Sequence, residues 1–137
     1  MSSNKEAVPE NSLQHALSLA ASDAWQDRKL AARVLARYAD NESAFAVLVR
    51  MLDDPDTAVI EESVTSLVVA RERRGLMEVL RQLGLSDDNA GYHIRDRLTA
   101  LWLDGTPVAD RCREVLLSEP EGPVRDAALE MIEELSA

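Results

Sequence analysis

The chain has 137 residues, of which 46% are apolar and 29% charged, with a net charge of -10 and one cysteine. That size and balance suit a single domain with its own core. They exclude an internal disulfide and a Cys-rich zinc site, and they disfavour general binding to phosphate backbones.

Residues 1–11 are polar and lack a secretory core, and residues 12–137 read as one domain. No apolar run approaches the roughly 18 residues of a membrane span, so cytoplasmic residence is the expectation. Aromatic residues make up only 4% while Ala and Leu are abundant, which favours close helix–helix packing over a β-sandwich. Arginine outnumbers lysine 13 to 2, a bias that reflects the base composition of a bacterial genome.

The elements follow in order. Residues 1–11 form a flexible lead-in, with Asn11 or Ser12 available as a cap. Leu13, Ala16, Leu17 and Ala20 mark one face of a first helix. Ser22-Asp23 offers a cap for a second, whose apolar side holds Trp25, Leu30, Ala31, Val34, Leu35 and Tyr38. The turn Asp40-Asn41-Glu42-Ser43 leads to a third helix with Phe45, Leu48, Val49 and Leu52. Asp53-Asp54-Pro55-Asp56 breaks it, and Asp54 or Asp56 caps a fourth presenting Val59, Ser63, Val64, Leu67 and Val68. A turn near Arg74-Gly75 precedes a fifth helix with Leu76, Met77, Leu80 and Leu83. Past Ser86-Asp87-Asp88-Asn89, a sixth carries Ile94, Leu98, Leu101 and Trp102. Asp104-Gly105-Thr106-Pro107 stops it and starts a seventh with Val108, Ala109, Cys112, Val115 and Leu116. Val124, Ala127, Ala128, Met131, Ile132 and Leu135 mark an eighth. No segment alternates as a half-buried strand should, so the expected class is all-α with about eight helices.

One phrase recurs. Met51-Leu52-Asp53-Asp54-Pro55 followed by Val59 returns as Leu116-Leu117-Ser118-Glu119-Pro120 followed by Val124, every part shifted by 65 residues. That is about two periods of a helical-hairpin repeat. The second helices align on Asp27, Val59, Ile94 and Val124, at steps of 32, 35 and 30. Small residues stand four places on at Ala31, Ser63 and Ala128, where neighbouring helices can approach closely; Leu98 is the exception. A stack of four helix pairs burying apolar faces against each other accounts for this pattern.

The segments Leu52-Asp53-Asp54-Pro55-Asp56 with Val59, and Leu116-Leu117 through Val124-Arg125 to Ala127-Ala128-Leu129, resemble HEAT repeats. The nearest flavour is the HEAT-like repeat associated with phycobilisome lyases, and the resemblance covers about residues 12–136 as four units. It implies a right-handed α-solenoid whose second helices line a concave face. It also implies acid–arginine ladders, here Asp54 with Arg28 or Arg95, and Glu119 with Arg125. Asp27 at an anchor position departs from the pattern and marks the first unit as a possible cap. Repeats of this kind specify a fold and not an activity.

Motifs of catalysis are missing from the sequence: there is no Gly-rich phosphate loop, nucleophile elbow, His-Glu-x-x-His or Cys-x-x-Cys. His15 and His93 fall in different units, His15 on a solvated face and His93 in a structural place near a helix start. The cluster Asp53-Asp54-Pro55-Asp56 lacks the glycine and glutamate of a calcium hand and reads as a turn with competing caps. No metal or cofactor is implied. Two charge patterns stand out on the second helices. Lys29, Arg33 and Arg37 form a basic stripe at i, i+4 spacing, and Glu61 occupies the place of Lys29 in the next unit. These opposite charges either link the units or form a bipolar groove. Glu62, Thr65, Asp96 and Arg97 complete the concave-face candidates. Trp25, Tyr38, Tyr92 and Trp102 are either packed under the turns or available as interface anchors.

The expected function is a non-catalytic protein–protein interaction module, an adaptor for a basic protein. An inhibitor or chaperone resembling an immunity protein is one such case. Negative charge concentrates toward the C-terminus, with a balance of zero over residues 1–50, -4 over 51–100 and -6 over 101–137. A cationic partner would be steered there. The chain is expected to be a monomer or weak homodimer, with no membrane and no nucleic-acid partner. The alternative, which rests on the resemblance alone, is a lyase-like or DNA-glycosylase-like HEAT enzyme or enzyme subunit.

Overall fold

The computed structural model describes residues 13–136, and within them every regular element is a helix and no strand occurs. The flexible lead-in and the Asn11 or Ser12 cap lie outside the described residues. Helix α1 covers residues 13–20. It is followed by α2 (Trp25–Leu35), α3 (Glu42–Arg50), α4 (Thr57–Leu85), α5 (Asp88–Leu103), α6 (Val108–Ser118) and α7 (Pro123–Ser136). Short 3-10 turns, Ala36–Tyr38 and Met51–Asp53, extend α2 and α3.

Side-chain caps set three helix starts. Asn41 Oδ1 accepts from the Ala44 N–H at 3.1 Å, Asp56 Oδ1 from Ala58 at 2.9 Å, and Asp87 Oδ1 from Ala90 at 3.0 Å. Each satisfies an amide that has no partner in the first turn of its helix. Between the two aspartates available to cap α4, the chain uses Asp56, because Asp54 is turned toward Arg28. At α2 the cap position is Ala24, with no side-chain bond. Ser22 instead accepts from the Ala24 N–H at 3.1 Å and donates to Asp27 at 2.8 Å.

The turn expected near Arg74-Gly75 lies a little earlier. Within α4 the helix is interrupted at Arg71 (φ -124°, ψ 18°) and Glu72 (φ 39°, ψ -108°), which divides it into arms of residues 57–70 and 73–85. Gly75 is helical and buried. A Cβ there would collide with the backbone carbonyl of Leu67, so the two arms touch main chain to main chain. Gly84 plays a similar part against α7, where a Cβ would come within 2.7 Å of the Pro123 carbonyl oxygen.

One apolar core runs from Ala16 to Leu135 and joins all seven helices. Leu35, Leu48, Leu52, Leu67, Leu76, Leu80, Ile94, Leu98 and Met131 are wholly buried. Each such side chain contributes about 1.5–3 kcal/mol through removal of apolar surface from water. Ala31 and Ala32 are fully buried at the contact between α2 and α4, and there Ser66 Oγ donates to the Ala32 carbonyl at 2.8 Å. Cys112 is a buried apolar filler, as its helical neighbours imply. Helix α4 packs on α2, α5 and α7, while α7 lies mainly on α4 and α6 and only sparsely on α5. That sparse contact leaves a gap between α5 and α7.

Candidate interaction surface

Three helical segments, α2, the first arm of α4 and α5, are linked by charged side chains in chain order. Arg33 Nη2 reaches Glu62 Oε1 at 3.4 Å, from α2 to α4. Glu61 then faces the other way, toward α5. Its Oε1 accepts from Arg97 Nη2 at 3.2 Å, and its Oε2 lies 3.0 Å from His93 Nδ1. Thr65, one turn on from Glu61, accepts from Arg97 Nη1 at 3.1 Å. Adjacent helical residues point about 100° apart, and this lets Glu61 and Glu62 serve different neighbours. Helix α5 reaches α7 through Arg95 Nη1, 3.0 Å from Glu130 Oε2.

Five of the eight residues expected on this face, Arg33, Glu61, Glu62, Thr65 and Arg97, are therefore brought together as links between helices. Lys29 does not meet Glu61. It borders a shallow depression of about 250 Å³ with Trp25, Gln26, Leu30 and Arg33. Arg37 falls in the 3-10 turn beyond α2, where the tighter winding takes it out of the i, i+4 series, and it is exposed. Asp96 is exposed on α5 and has no ion-pair partner among the described residues.

His93, expected in a structural place near a helix start, sits against Glu61, 32 residues earlier in the chain. Tyr92 stands edge-on to His93, with ring centroids 5.2 Å apart and planes at 82°. Trp25, Tyr92 and Trp102 are all partly solvent-exposed, whereas Tyr38 packs against the core.

Of the acid–arginine pairs expected, Arg28 with Asp54 forms. Arg28 grips Asp54 with two bonds, Nε–Oδ2 at 2.9 Å and Nη2–Oδ1 at 3.0 Å, and donates to the carbonyls of Ser22 and Asp23. The Asp54 bond, followed by the attraction of Asp54, Asp56 and Asp23, raises the pKa of Arg28 above its ordinary value. Arg125 bonds the backbone carbonyls of Leu116 and Glu119 and not the Glu119 carboxylate, so it fastens the turn between α6 and α7.

Three surface clefts measure about 200, 250 and 190 Å³. Small-molecule sites usually enclose about 300–1,000 Å³, so each of these clefts suits a single side chain better than a cofactor. No cluster of three or more His, Cys, Asp or Glu converges among the described residues. No described helix is long and apolar enough to cross a membrane. Comparison with known protein families, curated proteins and solved structures finds no match.

Proposed function

We propose that the chain is a right-handed α-solenoid of four HEAT-like helix pairs that acts as a non-catalytic protein-interaction module. Its second helices form the docking face, and its partner is a basic protein that it would adapt, inhibit or chaperone. The supporting observation is the row of cross-links Arg33–Glu62, Glu61–Arg97 and Arg95–Glu130, with sequence separations of 29, 36 and 35 residues. Separations near one repeat length are what stacked helix pairs produce. The links occupy the basic groups of α5, and the exposed residues Tyr92, Asp96, Glu133 and Glu134 remain toward solvent. Aromatic anchors with unmatched carboxylates attract and hold a cationic surface.

Affinity capture from native lysate tests this reading. The expected result is one stoichiometric basic protein retained by the wild-type chain and by Glu114→Gln on α6. That protein is lost with Tyr92→Ala or Asp96→Lys. Absence of a stoichiometric partner, or one indifferent to both substitutions on α5, overturns the proposal. Light scattering of the isolated chain is expected to give a monomer or a weak dimer.

A further inference from the structure

The gap between α5 and α7 is a cleft of about 190 Å³ lined by Tyr92, Arg95, Asp96, Thr99 and Glu134. We infer that this cleft is a receptor for one arginine side chain presented by the partner protein. The inference rests on the proposed function and specifies the contact through which it works.

Three features support it. First, the charge in the cleft is uneven. Arg95 is matched by Glu130 across the gap, whereas Asp96 and Glu134 have no ion-pair partner among the described residues. A cation entering the cleft meets two carboxylates that have no ion-pair partner among the described residues and breaks no existing pair.

Second, the cleft has an aromatic wall. Tyr92 is 58% exposed, so its ring is open to an incoming group. The ring stands edge-on to His93, which in turn lies 3.0 Å from Glu61.

Third, the chemistry favours guanidinium over ammonium. A planar fork can stack on an aromatic ring and address separate carboxylates at the same time, whereas an ammonium acts as a compact, strongly hydrated point charge. The cleft volume lies below the usual range for free small-molecule ligands and leaves room for one extended side chain.

The test is an NMR titration of the full chain with acetyl-GGRGG-amide, and with the same peptide carrying lysine or citrulline in place of arginine. The expected result is saturable amide shifts confined to Tyr92, Asp96, Thr99 and Glu134, strongest for arginine and absent for citrulline. Combining Asp96→Asn with Glu134→Gln weakens the response about tenfold, while Asp110→Asn on α6 leaves it unchanged. Both changed residues are exposed, so the fold is retained. Equal responses to arginine and lysine, or shifts spread over every acidic surface, overturn the inference. The two readings fail separately. Arginine binding in the cleft with no stoichiometric lysate partner sinks the proposed function and spares the cleft. A partner lost with Asp96→Lys yet retained by the Asp96 and Glu134 double variant sinks the cleft and spares the function.

Discussion

Arg28 and Asp54, 26 residues apart, close a bidentate ion pair that joins the start of α2 to the turn before α4. Asp54 serves a second purpose there. Its Oδ1 accepts from the Asp56 N–H at 2.8 Å, which shapes the turn, and Asp56 then caps α4. The side chain of Asp54 is only 8% exposed, so the pair is shielded from the screening that weakens surface bridges.

Asp54→Ala is accordingly expected to lower the urea midpoint, since it removes both bonds to Arg28 and loosens a capping turn. Arg28→Ala should also lower the midpoint. The double variant should fall clearly short of the sum of the two, because both singles remove the same bonds. Simple additivity would show that the pair is incidental.

A pH-dependent contribution is expected at Glu42. Arg74 donates to both of its carboxylate oxygens, at 2.8 and 3.1 Å, and packs over the Phe45 ring 4.0 Å from its centroid. The Arg74 hydrogen bonds, followed by its charge, hold Glu42 below its ordinary value of 4.5. A depressed folded-state value means the unfolded chain takes up the proton first as pH falls. The stabilisation is therefore complete above 4.5 and disappears as pH drops through the lower folded value. Glu42→Gln should be slightly less stable than wild type at neutral pH in urea midpoints, with the gap shrinking as pH falls below 4.5, a small effect because the glutamate is exposed. A gap that persists in acid would contradict the sign.

Gly75→Ala should be among the most damaging single methyl additions. The new carbon would run into the Leu67 carbonyl, which is main chain and cannot rotate aside. A loss of about 1–3 kcal/mol or more is expected from forced separation of the α4 arms, although alanine is the better helix former. A rise in thermal midpoint would mean the arms are not in contact.

Cys112 is wholly buried, and burial pushes its thiol up to about 12, so little thiolate exists at neutral pH. Ellman's reagent should label it only after denaturant unfolds the chain, at a rate that follows the opening of α6. Rapid labelling of the native protein would place the thiol at the surface.

Much of the helical layout is legible in the sequence because it depends on local rules. Val59, Ile94, Leu98, Cys112 and Val124 recur at helical spacing, and all are buried. Asp56 and Asp87 act as caps within three residues of their targets. The turn inside α4 was anticipated at Arg74-Gly75, where glycine suggests a breaker. The chain turns instead at Arg71-Glu72, and Gly75 serves close packing between the arms. A glycine can serve either purpose, and local sequence does not distinguish them.

Sequence periodicity by itself determined most of the residues that leave water, because a 3.6-residue turn dictates the side of each helix, although Trp25, Leu30 and Trp102, read on apolar sides, stay exposed. Tertiary structure decided which charge meets which. Glu61 reaches Arg97 and His93, Glu62 takes Arg33, and Arg125 turns back to its own loop carbonyls. Those choices depend on the rotation and offset of one helix against another over a few ångströms, set by the packing of residues such as Ala32, Ser66 and Leu98. A single strand of text carries the donors and acceptors, and the core between the helices selects the pairs.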